Sequence, residues 1–159
     1  MRALIADPEV LRFTRVPDPP PEGFAERWYR RYEQGRITGE AEGFAAVGSD
    51  GAFLGIGLAP EIDVDGRQLE LGYIVARRAR GRGVGRAILR RLTEWAFEER
   101  RALRAYLVID VENRASERIA THCGYTLEGV MRSCHLKQQI RIDAGLWSRL
   151  PSDPLASAP

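Results

Sequence analysis

Arg80-Gly81-Arg82-Gly83-Val84-Gly85 sets three glycines one residue apart, among arginines, just ahead of a helical pattern. Glycine lets the backbone adopt positive φ and lets a ligand approach it closely. The first amides of a helix lack an intrahelical acceptor, and the helix dipole favours an anion there. The stretch is therefore predicted to present a row of N–H groups to a phosphate. Arg80, Arg82 and Arg86 can add charge-assisted bonds. Arg77, Arg78, Arg90 and Arg91 extend this basic patch, although the net charge of the whole chain is only +2.

Three kinds of glycine-rich loop compete for the segment. A triphosphate loop needs GxxxxGK followed by Ser or Thr, and Gly81 to Arg86 offers neither the Lys nor the hydroxyl. A dinucleotide fingerprint needs GxGxxG in an early βαβ unit, whereas the spacing here is GxGxG. The pyrophosphate loop of acyl-CoA transferases, Arg/Gln-x-x-Gly-x-Gly/Ala, is matched in full. The bland alternative is a glycine-rich turn with a solvated arginine patch.

Acyl transfer to an amine needs a base, a polarised thioester carbonyl and a proton for the leaving thiolate. Glu70 is the candidate base. It lies on the strand before the loop, and its face (Glu70, Gly72, Ile74) leaves room for a substrate at Gly72. A structural ion pair with a nearby Arg is the competing role for Glu70. Ser116 can donate to the thiolate directly or through water, or simply cap a helix. Tyr73 and Tyr125 are weaker acid candidates, since each also reads as a core aromatic. His122 and Cys123 are adjacent on a predicted helix and point about a hundred degrees apart, so they form no nucleophile pair. Cys123 and Cys134, with no CxxC spacing, read as reduced packing thiols, and no metal site is expected.

The elements that position these residues can be read from periodicity. Met1 to Phe13 reads as helical with a break at Asp7, and Pro17 to Pro21 as a loop. Phe24 to Gln34 has helical spacing with Gly35 as its stop. The period then changes to two, giving strands Phe44–Gly48, Phe53–Leu58 and Leu69–Ala76 in an antiparallel meander. An amphipathic helix follows, about Gly85 to Arg101, with Ile88, Leu92 and Trp95 on one face. Ala105–Ile109 is a buried strand, so strand, helix and strand form a crossover. A helix from Asn113 to Cys123 and two strands, Thr126–Leu136 and Ile140–Leu150, complete the domain.

The chain of 159 residues fits a single domain over 1–150, with a flexible Pro/Ser/Ala-rich tail at 151–159. It has no apolar run long enough to span a bilayer. The first residues lack the apolar segment of a signal peptide, so the expected compartment is the cytoplasm. Near-neutral total charge and the lack of aromatics in the arginine patch argue against a nucleic-acid binder.

Several motifs together resemble the GNAT acetyltransferase superfamily, in particular its Rim-type branch, which includes N-terminal acetyltransferases of ribosomal proteins. They are Glu70-Leu71-Gly72-Tyr73-Ile74-Val75, Arg80 to Gly85, Asn113-Arg114-Ala115-Ser116 and Cys123 to Gly129. The resemblance implies an α/β (α+β) fold: a mixed, mostly antiparallel, V-shaped sheet flanked by helices, with acetyl-CoA in the cleft. It implies that backbone groups of Tyr73, Ile74 and Val75 pair with the pantetheine arm. Amides of Arg80, Gly81, Arg82, Gly83, Val84, Gly85 and Arg86 would hold the pyrophosphate. Asn113 would contact the pantetheine arm, and Ser116 would sit near the sulfur. The partner is then an amine acceptor, with no membrane involved and a homodimer conceivable. Two departures stand out. Met1 falls where the first helix should already be under way, so either the start is late or the sheet lacks its first, edge strand. The position where many relatives carry an acidic Tyr is Ala120. A non-catalytic CoA-binding regulatory module is the alternative this leaves open.

Overall fold

The computed structural model describes residues 2–154. The end of the expected tail, 155–159, lies outside the described residues. Its beginning is a turn, in which the Asp153 carboxylate accepts from the Leu150 amide at 2.8 Å. The described residues form twelve elements, which follow the expected order but for an added 3-10 turn. Helices α1 (Arg2–Ile5), α2 (Pro8–Phe13) and α3 (Phe24–Thr38) precede strands β1 (Glu42–Val47), β2 (Phe53–Asp63) and β3 (Gln68–Val75). A 3-10 turn at Arg77–Ala79 leads into helix α4 (Val84–Glu98) and strand β4 (Arg104–Asp110). Helix α5 (Arg114–His122) and the hairpin of β5 (Thr126–Lys137) and β6 (Ile140–Arg149) follow.

Local chemistry explains the boundaries. Asp7 breaks the first helical stretch by capping α2, where its carboxylate accepts from the Glu9 and Val10 amides and Pro8 opens the helix. Gly35 was expected to stop α3, but the helix runs on to Thr38 and ends at Gly39, whose φ is 82°. Gly35 serves packing instead. A Cβ there would stand 2.6 Å from the Ala41 Cβ, so its small size lets the chain fold back closely. β2 likewise continues beyond Leu58 to Asp63, with a register irregularity between Leu58 and Glu61 around Pro60. A bulge is where a strand can hold a residue without an amide donor.

The six strands form one sheet in the order β1-β2-β3-β4-β6-β5. Only β3 and β4 run parallel, as the α4 crossover requires. Alternation along β3 feeds two cores. Leu69 and Leu71 join Leu89, Leu92, Leu107 and Trp147 under α4 and α5. Ile74 joins Ile56, Val10 and Ala25 under α1–α3. Glu70 and Gly72 share the Ile74 face. Among the described residues no helix is long and apolar enough to cross a membrane.

The parallel pairing is short. It links Gln68 to Arg104, Leu69 to Ala105 and Glu70 to Tyr106, and then stops. Beyond it β3 stays on β2 up to Val75, while β4 stays on β6 up to Asp110. The two halves of the sheet therefore part after Glu70, which is the V expected from the sequence.

Candidate active site

A cavity of about 1150 Å³ occupies the parting of the sheet. Its walls include Gly72 to Val75 of β3, Leu107 to Asp110 of β4, and the loop before α4. Its far end is lined by α2, α3 and the β5–β6 hairpin. Of the candidate site residues all but Arg82 and the weaker acid candidate Tyr125 line it: Glu70, Tyr73, Ile74, Val75, Arg80, Gly81, Gly83, Val84, Gly85, Arg86, Asn113 and Ser116.

The register shows which backbone groups of β3 are free. The Ala76 amide donates to the Leu54 carbonyl at 2.9 Å, and Ile74 lies opposite Ile56. Inward and outward bonds alternate along an antiparallel strand. Ile74 and Gly72 thus spend their polar groups on β2, whereas the Tyr73 and Val75 amides face the gap. Of the three residues expected to pair with a pantetheine arm, Tyr73 and Val75 have the right orientation. Ile74 contributes a buried side chain.

The three loop glycines do different things. Gly81 and Gly83 have φ of 72° and 76°, and an added Cβ would meet nothing within 4 Å of either. They shape the loop. Gly85 has no such φ, but a Cβ there would stand 3.0 Å from Ile119 and 3.2 Å from Tyr73. It is the contact through which α4 sits close to β3 and α5. The first bond of the α4 turn runs from the Ala87 amide to the Gly83 carbonyl at 3.0 Å. The amides just before Ala87 therefore have no intrahelical acceptor.

The arginines differ as well. Arg80 does not reach outward. Its guanidinium pairs with Asp7 at 2.9 Å and Glu9 at 2.7 Å, and its Nε donates to the Val75 carbonyl at 3.3 Å. It braces the loop to α2. Burial pushes the Asp7 carboxyl up, but the Arg80 bond and charge and the capping amides outweigh it and hold the carboxyl below its ordinary value. A depressed carboxylate stabilises the fold at pH above its unfolded value, and that stability fades as pH falls through the folded value. Asp7→Ala is therefore expected to cost about 1–2 kcal/mol at neutral pH. In urea titrations the difference from wild type should shrink below about pH 4.

Glu70 is 7% exposed on the open side of β3. Both its oxygens accept from Arg15, at 3.1 and 2.8 Å. Burial raises its carboxyl above the usual value, and the Arg15 charge only partly pulls it back. Gly72 beside it has open space where a Cβ would be, so the room expected there exists. Sequence reasoning had no signal for Arg15, a loop residue 55 positions away in the chain.

Asn113 caps α5 by accepting from the Ser116 amide at 3.1 Å. The Ser116 hydroxyl stands 2.9 Å from the Tyr73 hydroxyl. Burial pushes the Tyr73 phenol up to about 12, against a smaller pull from Ser116, so it stays protonated at neutral pH. Tyr125 is occupied elsewhere: its hydroxyl lies 2.7 Å from Thr93 in the core. Ala120 is fully buried in the same core. The side-chain position that carries Tyr in many relatives is thus built into the packing here. His122 and Cys123 bond to different carbonyls, those of Arg118 and Arg86.

His135 and Lys137 on β5 also line the cavity and were not singled out from the sequence. Lys137 donates to the Thr14 and Val16 carbonyls, at 2.6 and 2.5 Å, tying the hairpin across to the chain after α2.

Comparison with known proteins agrees with this architecture. Solved structures share the fold. A spermidine N-acetyltransferase SpeG variant from Vibrio cholerae superposes with a TM-score of 0.73 at 22% identity, over 82% of this chain and 77% of that one. A candidate ribosomal-protein-serine acetyltransferase from Vibrio cholerae gives 0.72 at 23% identity, over 82% and 76%. In sequence, YdaF of Bacillus subtilis, a proposed ribosomal N-acetyltransferase, is 28% identical over 124 residues, 78% of this chain and 60% of YdaF. YkkB of the same organism, of uncharacterised function, is 33% identical over 98 residues, 61% of this chain and 56% of YkkB. The chain thus spans less than two thirds of the length of these curated relatives. Residues 1–126 match the model of the Acetyltransferase (GNAT) domain. With the split sheet and the glycine loop at the head of α4, that match shows that the chain belongs to the GNAT acetyltransferase family.

Proposed function

We propose that the protein transfers an acetyl group from acetyl-CoA to a primary amine, by direct attack within a ternary complex in the cytoplasm. One observation carries this reading. A single cavity joins the unpaired Tyr73 and Val75 amides, the glycine loop at α4 and a buried carboxylate, Glu70. The residues fit the cofactor. Gly81 and Gly83 leave open space at the loop, and Arg86 is exposed at the head of α4, free to meet a phosphate. When bound, acetyl-CoA supplies the acyl group as an activated thioester.

The chain's own residues then have separable roles. Amides of Gly81 to Arg86 hold the pyrophosphate. The Tyr73 and Val75 amides hold the extended arm as a neighbouring strand would, and one of them polarises the thioester carbonyl. Glu70 accepts the proton of the attacking amine, the Arg15 charge favouring its ionised form against burial. The Ser116 hydroxyl, backed by the protonated Tyr73, delivers a proton to the departing sulfur. Ser116→Ala is expected to lower kcat about tenfold to a hundredfold with little change in the KM for acetyl-CoA. Tyr73→Phe should lower it less, because water can then back Ser116. Steady-state kinetics on both variants check the order.

Two observations favour a second reading, a CoA-binding regulatory module without turnover. Ala120 is sealed in the core, and both Glu70 oxygens are engaged by Arg15. Thiol release from acetyl-CoA with a panel of amines separates the two. Tight CoA binding with no thiol release on any amine would sink the transfer reading.

A further inference from the structure

The charges around the far end of the cavity bear on the acceptor. Four carboxylates line the cavity, and each is already engaged. Glu9 pairs with Arg80, and Glu70 with Arg15. Asp18 accepts from the Gln138 amide, and Asp110 from the Glu112 backbone amide. Seven arginine and lysine side chains line the same cavity, so its balance of charge disfavours an acceptor with several ammonium groups.

The cations of the same end are less well matched. Lys137 is half-buried and donates only to two backbone carbonyls. A lysine ammonium has three donors, so one is left over. Burial lowers its affinity for the proton, and the charge of Asp18 only partly restores it. Arg31 donates to the Pro60 carbonyl at 3.1 Å, stands 5.8 Å from the centre of the Tyr32 ring and, among the described residues, forms no ion pair within 4 Å. Both cations line the same cavity. Arg31 acts on the buried Glu70 electrostatically, Glu70 holds Arg15, and the residues either side of Arg15 hold Lys137.

Resting on the acetyl-transfer reading, we infer that the acceptor is a primary amine whose carrier bears a carboxylate, bound by Arg31 and Lys137, and not a polyamine. The chemistry agrees with the catalytic need. A cationic wall disfavours the ammonium form of the acceptor, so the attacking nitrogen is more often neutral. The same wall repels a polyamine and attracts an anionic flank, which gives selectivity by repulsion as well as attraction.

The test is an acceptor series with matched charges, run on the full chain with saturating acetyl-CoA. It compares an amino acid with its α-carboxamide, a C-terminally amidated dipeptide with a glutamate second residue against the amidated glutamine version, and spermidine. The expected kcat/KM favours the carboxylate member of each pair by about tenfold or more, as one charge-assisted bond of some 1.4 kcal/mol would give. The dipeptide and amino-acid arms tell a peptide terminus from a free amino acid. Arg31→Gln, on the exposed face of α3, and Lys137→Met should each bring that ratio to within about threefold of unity, through KM. Arg31→Gln carries the conclusion if Lys137→Met melts early. Equal rates within each pair, or a preference for spermidine, would overturn the inference while leaving acetyl transfer in place. No thiol release with any amine would overturn both.

Discussion

Gly83→Val is expected to raise the KM for acetyl-CoA about thirtyfold to a hundredfold while lowering the melting temperature by only a few degrees. Gly83 caps α4 with φ 76° and ψ 0°, a conformation that a β-branched residue occupies only at a cost of about 2–3 kcal/mol. The added side chain meets nothing within 4 Å, so no packing clash accompanies that cost. The loop relieves it by leaving the left-handed region, which re-aims the amides of the first α4 turn. Each 1.4 kcal/mol is a factor of ten in affinity, which sets the size of the effect. Gly85→Val should behave in the opposite way. Its Cβ would press on Ile119, Tyr73 and Val75 at 3.0–3.4 Å, so the loss is about 1–3 kcal/mol of stability. Calorimetric CoA titration and a thermal melt on both variants distinguish the two roles. Unchanged CoA binding in Gly83→Val would mean that this loop does not hold the cofactor.

The second large effect is at Glu70. Glu70→Gln is expected to lower kcat/KM by about a hundredfold or more, the contribution of a positioned base. Glutamine can still accept from Arg15 through its amide oxygen, so the wall keeps its shape. The pH dependence gives the sharper test. Burial raises the Glu70 carboxyl above its ordinary value, so wild-type kcat/KM should climb with pH through that raised value as the base ionises. Arg15→Met removes the charge that pulls the carboxyl down and should move this acid limb to higher pH. The stability consequence has the opposite sense. A carboxyl raised in the folded state stabilises the fold at low pH, and that contribution is lost as pH rises through the window above its unfolded value. A Glu70→Gln enzyme as active as wild type at every pH would show that another group takes the proton.

The parts of this fold that were legible in the sequence are those set by short-range chemistry. The loop at Arg80 to Gly85 could be read because alternate glycines before an amphipathic helix have few other uses. The break at Asp7 could be read because Asp-Pro opens helices. The β3 face could be read from alternation alone, and Gly72 does leave the space foreseen. What escaped depends on contacts between distant segments. Nothing near Gly35 announces that Ala41 will press against it, so a packing glycine looked like a helix stop. Gly81, Gly83 and Gly85 look equivalent in a string, although two serve conformation and one serves packing. Arg80 looked like a phosphate ligand until the fold brought Asp7 and Glu9 beside it. Arg15, His135 and Lys137 carry no motif, and only the crossing of the hairpin over α2 makes them walls of one cavity.

The brevity of the β3–β4 pairing reaches beyond catalysis. Three residue pairs join the halves of the sheet, and past them two strand edges face each other with their ladder unfilled. An open edge is a template for any extended segment, whether of a neighbouring molecule or of a chain still folding. A cofactor arm laid along Tyr73 and Val75, as proposed above, would remove that template. By mass action it also favours the folded state in proportion to its saturation. Solubility would then draw on the same gap as ligand binding, the free protein being the form most open to misassembly.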